Sequence, residues 1–181
     1  MIWDNSSTIV IMLSNIAEKN VLKCHQYWPK LNDLMETESF QIKNIEEESS
    51  NDIVLRKFSL KKKNNDKVKI ITQFHCISWI DRGITSIETV SNLLYKIEKI
   101  WDKSPLVIHC SAGCGRTGVF ILVHSILEKV KYDLKNNTEP MINIYEELKR
   151  LRQLRHNLIQ TPEQYEFCYH ILNYEFKKFI N

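Results

Sequence analysis

The sequence contains 181 residues, of which 43% are hydrophobic and 26% are charged, and it has only four glycines and four prolines. This composition predicts one globular domain over residues 1–181 and excludes a repeat or low-complexity protein. The net charge of +3 is too small to indicate nucleic-acid binding. No apolar run is long enough to cross a bilayer, so we expect no membrane span.

The cysteines argue against two kinds of site. There are five of them, an odd number, and none forms a C-x-x-C pair, so neither a disulfide framework nor a zinc site is predicted. We therefore expect no metal and no cofactor. Unpaired thiols suit a reducing compartment, and the N-terminus lacks the basic and long apolar segments of a secretory signal. The expected location is the cytoplasm.

The N-terminal half of the chain predicts strands. Thr8–Leu13 is a short, continuous apolar run that is β-branched at its start, which is typical of a buried strand. Three further strands are predicted after it: Phe40–Ile45, Ile53–Leu60 and Val68–Ile77. A polar turn at 46–52 and a lysine- and asparagine-rich hairpin tip at 61–67 separate them.

The C-terminal half predicts helices and one further strand. A helix begins at Thr85, which stands at capping-box spacing from Glu88, and the strand Leu106–Ile108 follows it. The next helix, Val119–Val130, is apolar nearly all round, as expected for a helix deep in a core. Four apolar residues line a third helix: Ile144, Leu148, Leu151 and Leu158.

A last helix begins at Thr161-Pro162, with proline at its first helical position. Taken together, these elements predict an α/β (α+β) fold. We expect a mixed, twisted central sheet with helices on both faces.

The most informative stretch is 109–118, which reads His-Cys-Ser-Ala-Gly-Cys-Gly-Arg-Thr-Gly. A strand, a tight loop and a helix in this order make an anion site, because backbone N–H groups curl around an oxyanion at a helix N-terminus. Such a site lowers the pKa of a cysteine within it, so we predict Cys110 as a thiolate nucleophile. The planar fork of Arg116 matches two phosphoryl oxygens. The intervening residues complete the predicted phosphate-binding loop: Ser111, Ala112, Gly113, Cys114 and Gly115.

This run resembles the signature loop of the cysteine-dependent protein tyrosine phosphatases. Four other segments are similar to the same family and occur in its order: 1–13, 18–29, 78–81 and 160–165. The resemblance implies that family's fold and hydrolysis of phosphotyrosine through a phosphocysteine intermediate, with phosphotyrosine-containing proteins as partners. It also implies that the opening part of the family's domain, which sets the depth of the phosphotyrosine pocket, is missing here. The chain would then be a partial domain.

By the resemblance, Asp81 is the general acid that protonates the leaving phenolate, on a loop that closes over the substrate. The family carries a proline where this chain has Ile80, so we expect the open and closed populations of the loop to differ. The alternative interpretation of Asp81 is a plain turn aspartate close to Gly83.

The resemblance implies that Gln160 positions the water that hydrolyses the phosphocysteine. Gln164 belongs to the same implied loop, or it only closes the last helix from capping-box spacing to Thr161. Arg152 and Arg155 lie beside this loop and either brace it or coat a helix face.

Two charged residues near the N-terminus match a segment that leans on the active site in the family. Glu18 is implied to hold Arg116 in place, and Lys23 is implied to pair with Asp81. The alternative is a solvated charged turn.

Three more residues of the signature run have candidate roles. His109 is expected to orient the loop by hydrogen bonds and to stabilise the thiolate. Thr117 either bonds the Cys110 sulfur or is an ordinary N-cap. Cys114 either packs as a small hydrophobe or captures an oxidised Cys110.

Three functions are compatible with the sequence. The first is a protein-tyrosine phosphatase whose activity is reduced by the truncation and by the Trp-Ile-Asp loop. The second is a pseudophosphatase that binds phosphotyrosine proteins without turnover. The third is a dual-specificity or phosphoinositide phosphatase, but lipid-directed members often carry lysines where this chain has Ser111 and Cys114. We favour the first.

Overall fold

The structure is a computed structural model that describes residues 1–50 and 52–180. The strands are β1 Ile9–Met12, β2 Ala17–Glu18, β3 Val21–Leu22, β4 Leu34–Glu36, β5 Phe40–Ser49, β6 Ile53–Lys62, β7 Val68–Cys76 and β8 Val107–His109. The helices are α1 Ile87–Glu98, α2 Gly115–Lys135, α3 Ile144–Leu154 and α4 Pro162–Ile180. None of the helices described here is long and apolar enough to cross a membrane.

The main sheet is mixed, as predicted. Its strand order is β4-β5-β6-β7-β1-β8, and β2 pairs with β3 in a separate two-stranded sheet. β1 is parallel to both of its neighbours, β7 and β8, whereas β4 to β7 form antiparallel pairs. Every residue of β1 is buried, which explains why its sequence is continuously apolar rather than alternating. The predicted fold class, a mixed sheet with flanking helices, is confirmed.

The two faces of the sheet are covered differently. Side chains alternate along a strand, so Ile9 and Ile11 join one hydrophobic cluster while Val10 and Met12 join another. All four helices contribute to the first cluster. The second is closed by the irregular segment around Trp28 and by the N-terminal residues. The expectation of helices on both faces was therefore wrong for the described residues, because non-helical chain fills one side.

The predicted polar turn at 46–52 was also wrong over most of its length. Glu46 and Glu47 lie within β5, after a register shift that follows Asn44, and they pair across the ladder with Lys57 and Arg56. The opposite charges form ion pairs at 2.8 Å in both cases. Cross-strand pairs of opposite charge favour a strand, so these glutamates extend the hairpin instead of ending it. Asn51, part of the same predicted turn, lies outside the described residues.

Several helix boundaries differ from the prediction. Ser86, not Thr85, is the N-cap of α1, and its hydroxyl accepts a hydrogen bond from the Thr89 N–H at 3.0 Å. The N-terminal end of α2 is Gly115, four residues before the apolar run, because the signature loop itself turns into the helix. Leu158 does not lie on α3, which ends at Leu154, although it is buried beyond that end. Pro162 opens α4 as predicted.

Candidate active site

The signature loop connects the end of β8 to the start of α2. β8 pairs with the buried strand β1, and this pairing fixes the point from which the loop departs. Gly113 adopts a φ of +67°, and a Cβ there would lie 3.0 Å from Nη2 of Arg155. A left-handed conformation with so little space requires glycine. The chain can therefore curl back toward the helix within five residues.

The curl encloses a small cavity. Its volume is about 120 Å³, and Cys110 is buried at its wall. The cavity sits at the N-terminal end of α2, where free N–H groups and the helix dipole favour an anion. Nine residues line it: Asp81, Arg82, Cys110, Ser111, Ala112, Gly115, Arg116, Gln160 and Gln164.

The environment of Cys110 favours its thiolate. Burial raises the pKa of the Cys110 thiol, but hydrogen bonds from the Thr117 hydroxyl and from backbone N–H groups of Thr117, Gly113 and Cys114 outweigh it, so that the pKa is lowered. The Thr117 hydroxyl is buried, and at strict hydrogen-bond geometry it has no partner among the described residues. Its proton is thus available to the sulfur.

Arg116 is held by contacts on three sides and is only 1% exposed. Its Nη1 donates to Oε1 of Glu18 at 2.6 Å and to the Trp79 carbonyl at 2.7 Å. Its Nη2 donates to Oδ1 of Asp81 at 3.2 Å. Glu18 also accepts a hydrogen bond from the Asp81 N–H at 2.8 Å through Oε2. One carboxylate therefore ties the guanidinium to the loop that carries Asp81.

Asp81 lies at the mouth of the cavity with its side chain 35% exposed. Nζ of Lys23 donates to its Oδ2 at 2.6 Å. This hydrogen bond, together with the nearby charge of Arg116, keeps the pKa of Asp81 below its ordinary value. The next residue, Arg82, has a φ of 57°, which turns the chain sharply after the carboxylate.

The Asp81 loop is anchored in the core by the tryptophan that precedes it. Trp79 is fully buried, and its Nε1 donates to the Gly83 carbonyl at 3.1 Å, which closes the turn. Its ring packs edge-on against Phe167 of α4, with centroids 6.0 Å apart. The Ile80 carbonyl accepts from the Gly83 N–H at 3.2 Å, but Ile80 is 58% exposed, so its side chain is not part of the buried anchor. The loop is therefore held at both ends while its tip stays accessible.

Gln164 joins the Asp81 loop to the loop before α4. It is completely buried. Its Oε1 accepts from the Gln160 N–H at 3.0 Å, and its Nε2 donates to the Gly83 carbonyl at 3.4 Å. The Thr161 hydroxyl caps the helix by accepting from the Gln164 N–H at 3.2 Å. These contacts favour the interpretation in which Gln164 is part of the loop before α4 over the one in which it only closes the helix start.

The loop before α4 that carries Gln160, here called the glutamine loop, sits directly on α2. A Cβ at Gly118 would lie 2.6 Å from the Ile159 nitrogen, and the Ile159 N–H donates to the Cys114 carbonyl at 3.1 Å. Ile159 has a φ of 61°, which is strained for a β-branched residue. The close approach to a glycine and the bond to the signature loop hold this strained backbone next to Gln160.

This contact gives a stability prediction. Gly118→Ala is expected to destabilise the protein by about 1–3 kcal/mol, because the new methyl group overlaps backbone atoms that cannot move without displacing the glutamine loop. The matched control is Gly83→Ala, where a Cβ would meet nothing closer than 3.7 Å. Urea unfolding measures both. Equal midpoints for the two variants would contradict the proposed close packing.

Two arginines brace these loops from outside. Arg155 donates to the carbonyls of Gly113 at 2.8 Å and Ala112 at 3.1 Å. Arg152 donates to the carbonyls of Leu158 at 2.9 Å and Ile159 at 2.8 Å. Between the two interpretations of these residues, the contacts favour bracing.

Neither Cys114 nor His109 lines the cavity. The Cys114 sulfur lies 3.4 Å from the Ala112 carbonyl oxygen and 4.0 Å from that of His156, so both of these contacts are with backbone carbonyls. Nδ1 of His109 lies 3.1 Å from the Cys110 carbonyl oxygen, and its Nε2 lies 2.7 Å from the Tyr27 hydroxyl. Burial lowers the pKa of His109, which favours a neutral ring.

Sequence reasoning missed Tyr27 and the side chains behind it. Tyr27 lies in a segment that the family resemblance covered, but nothing in its neighbourhood along the chain indicates that its hydroxyl contacts His109. The signal was absent because the two residues are 82 positions apart. Only the packing of the segment under the sheet brings them together.

Comparison with known proteins agrees with the geometry. The family model described as protein-tyrosine phosphatase matches residues 1–174. Human receptor-type tyrosine-protein phosphatase epsilon is 33% identical over 180 residues, which are 95% of this chain and 25% of that protein. Tyrosine-protein phosphatase 1 of Caenorhabditis elegans is 33% identical over 178 residues, which are 95% of this chain and 17% of that protein.

A solved structure from work on the PTPN18 fingerprint on distinct HER2 tyrosine phosphorylation sites superposes with a TM-score of 0.87 and 27% identity. The superposed region covers 97% of this chain and 62% of the chain in that structure. The chain thus spans a quarter or less of the length of the two curated relatives above.

Proposed function

The chain belongs to the protein-tyrosine phosphatase family, and we propose that it hydrolyses phosphotyrosine in proteins through a phosphocysteine on Cys110. The supporting observation is the convergence of a buried thiol of lowered pKa, a guanidinium and a carboxylate on one cavity at a helix N-terminus. We also propose that residues 1–181 act as one catalytic unit, since the sheet and all four helices share one core cluster.

In the first step the Cys110 thiolate attacks phosphorus. The sulfur–phosphorus bond forms as the bond to the tyrosine oxygen breaks, and Asp81 in its acid form gives its proton to the departing phenolate. Arg116 and the loop amides stabilise the charge on the equatorial oxygens. The fixed position of Arg116, which Glu18 and the Trp79 carbonyl maintain, means that little reorganisation is needed as the charge develops.

In the second step water attacks the phosphocysteine. Gln160 orients the water, and Asp81, now a carboxylate, takes its proton. The sulfur–phosphorus bond breaks, inorganic phosphate leaves, and the thiolate is restored with the Thr117 hydroxyl available to bond it. Protein side chains and backbone amides carry every one of these roles.

The test compares three substrates with one enzyme preparation. Phosphate release is measured from a phosphotyrosine peptide, the matching phosphoserine peptide and a phosphoinositide head group. We expect release from phosphotyrosine with a burst of phenolic product equal to the enzyme concentration. Preference for either of the other substrates would replace this proposal with the dual-specificity or phosphoinositide alternative.

A second candidate function has a specific observation in its favour. Asp81 is ion-paired with Lys23 and Arg116, and an ionised carboxylate has no proton to donate. A chain locked in that arrangement would bind phosphotyrosine peptides without turning them over. Peptide binding that Arg116→Ala removes, with no burst of product, would favour this pseudophosphatase over the enzyme.

The ion pair also gives a pH prediction. Asp81 must be protonated in the first step, so kcat/KM should fall as the pH rises through the pKa of Asp81. Lys23 is the largest cause of the lowering of that pKa. Lys23→Met should therefore raise it, leave more of the acid form near neutral pH, and move the falling limb of the profile to higher pH.

The pH profile of phosphotyrosine-peptide hydrolysis measures this shift. Lys19→Met, a change at a nearby lysine outside the observed ion pairs, serves as the control and should leave the limb in place. A limb that moves to lower pH in Lys23→Met would contradict the assignment of Asp81 as the acid.

A further inference from the structure

Behind the signature loop, a chain of hydrogen-bonded side chains crosses the sheet. Arg56 and Gln73 stand directly opposite each other on β6 and β7, and Nη1 of Arg56 lies 3.0 Å from Oε1 of Gln73. Nε2 of Gln73 lies 2.9 Å from the Tyr27 hydroxyl. That hydroxyl contacts His109 at 2.7 Å, and His109 contacts the Cys110 carbonyl at 3.1 Å. Neither Arg56 nor Gln73 lines the cavity.

The two ends of this path determine the direction of the links between them, because the Arg56 guanidinium can only donate and the Cys110 carbonyl can only accept. A guanidinium has only donors, so the Gln73 oxygen faces Arg56 and its NH₂ group faces Tyr27. The Tyr27 oxygen then accepts from Gln73. Its single proton goes to Nε2 of His109 at 2.7 Å, which is far closer than the other acceptor near this hydroxyl, the Met12 sulfur at 4.0 Å. Nε2 is thereby an acceptor. The ring proton sits on Nδ1, from which it is donated to the carbonyl of Cys110.

Further contacts fix the position of the Arg56 guanidinium, so that it stays hydrogen-bonded to Gln73. Its Nε donates to Oε2 of Glu47 at 2.8 Å, and its guanidinium lies 4.8 Å from the centre of the Trp28 ring. Its Nη1 also lies 3.2 Å from Nδ1 of His75, and Nε2 of His75 lies 2.9 Å from the Ser14 carbonyl oxygen. Burial lowers the pKa of His75 to about 4, which keeps its Nδ1 free to accept.

We propose that Arg56 and Gln73 are positioning residues that select the Nδ1–H tautomer of His109 and, through it, the orientation of the Cys110 peptide. A trans peptide sets the N–H of the following residue antiparallel to the C=O. Fixing the Cys110 carbonyl therefore fixes the direction of the Ser111 amide, the first donor of the phosphate cradle. The inference rests on the proposed function only for its catalytic consequence, because the tautomer exists without substrate.

The charged groups around this path lie on two sides of it. On the cavity side they are Arg116, Asp81, Glu18 and Lys23, and behind His109 they are Arg56 and Glu47, with the neutral His75 beside them. Each of these groups stays in place when only the hydrogen-bond direction at Gln73 is changed. A substitution at Gln73 that reverses the direction is therefore a selective test.

The first experiment observes the wild-type protein. In a sample with ¹⁵N-labelled histidine, long-range ¹H–¹⁵N spectra distinguish a protonated ring nitrogen from an unprotonated one, and His109→Asn assigns the signals. We expect His109 to be protonated on Nδ1 and unprotonated on Nε2 at neutral pH. A wild-type ring protonated on Nε2 would overturn the proposal with no variant needed.

The second experiment uses Gln73→Glu to reverse the direction of the hydrogen bonds between position 73, Tyr27 and His109. A carboxylate has no donor, so Tyr27 must donate to position 73 and its oxygen must accept from His109. Nε2 of His109 should therefore gain a proton, while Nδ1 keeps its own to bond the Cys110 carbonyl. Arg56 remains beside the new carboxylate and compensates its charge. An Nε2 that stays unprotonated in this variant would overturn the proposal.

The matched control is the same substitution in a Tyr27→Phe background, which removes the middle link. There Gln73→Glu should leave the His109 signals as they are in Tyr27→Phe alone. An equal change in both backgrounds would mean that the new charge acts through space, which also contradicts the proposal.

The consequence at Cys110 is read from its alkylation rate by iodoacetamide as a function of pH. An imidazolium bonded to the Cys110 peptide favours the thiolate. At a pH well below the midpoint of the wild-type rate profile, the Gln73→Glu variant should therefore be alkylated about tenfold faster than the wild type. A tenfold change is the low end of the effect of one nearby opposite charge on a pKa. An unchanged rate profile would contradict the link to the thiol. Because this readout needs no turnover, it holds or fails independently of the phosphatase activity.

Discussion

Cys110→Ser is expected to remove phosphate release from a phosphotyrosine peptide almost completely, by about 10⁴-fold or more, the scale on which enzymes lose turnover without their nucleophile. The cavity lowers the pKa of a thiol, but a serine hydroxyl starts from a pKa so much higher that it stays protonated there. The attacking anion is therefore lost while the amides and Arg116 remain. Release of inorganic phosphate, followed continuously, measures the effect.

The same variant should still bind the phosphopeptide at least as tightly as the wild type. Removal of the thiolate eliminates the repulsion between its charge and the dianionic phosphate. Isothermal titration calorimetry with intact phosphopeptide gives the affinity. Cys24→Ser, which removes a partly buried thiol outside the cavity, is the matched control and should keep wild-type turnover. Turnover that survives in Cys110→Ser would place the nucleophile elsewhere.

Arg116→Lys is expected to lower kcat/KM by about 10²–10³-fold, the range found when one preorganised donor to a developing charge is removed. Lysine keeps the positive charge but offers one compact donor group where the guanidinium offers a planar fork. Its single ammonium also cannot replace the present contacts of Arg116 with Glu18, the Trp79 carbonyl and Asp81 and bind a phosphate as well. Steady-state hydrolysis of a phosphotyrosine peptide is the measurement.

A companion variant separates the catalytic role of Arg116 from its structural one. Arg116→Met leaves the Glu18 carboxylate, whose side chain is 8% exposed, without its partner, and breaking a buried pair in this way costs about 3–5 kcal/mol of stability. Adding Glu18→Gln should recover part of that loss in urea unfolding but none of the activity. Recovery of activity together with stability would mean that Arg116 acts only as a structural residue.

In the candidate active site, two side chains each make contacts with two different loops, so the same contacts support both the fold and the proposed chemistry. Glu18 bonds both Arg116 and the backbone of Asp81, and Gln164 bonds both the Gln160 and the Gly83 backbone. A change in one loop is therefore transmitted to another through a single side chain. We expect substitutions at Glu18 and Gln164 to be non-additive with those at the residues they join.

The sequence by itself determined the local structure around the signature run. The run from His109 to Gly118 is contiguous, so its strand, glycine-containing loop and helix start could be recognised without knowing the rest of the fold. The apolar run that became β1 and the proline that opens α4 were equally local signals. In each case the residues that make the feature are neighbours along the chain, where propensity and spacing act directly.

The tertiary structure alone decided how distant side chains meet. Arg116 and Glu18 are 98 positions apart, and His109 and Tyr27 are 82 apart. The direction of the path from Arg56 to Cys110 depends on the register that sets Arg56 opposite Gln73. A different cross-strand pairing, between β5 and β6, likewise places the glutamates after Asn44 in a strand where the sequence predicted a turn. Hydrogen bonds and ion pairs of this kind form only when sheet pairing fixes which side chains face one another, and that pairing depends on the packing of both faces at once.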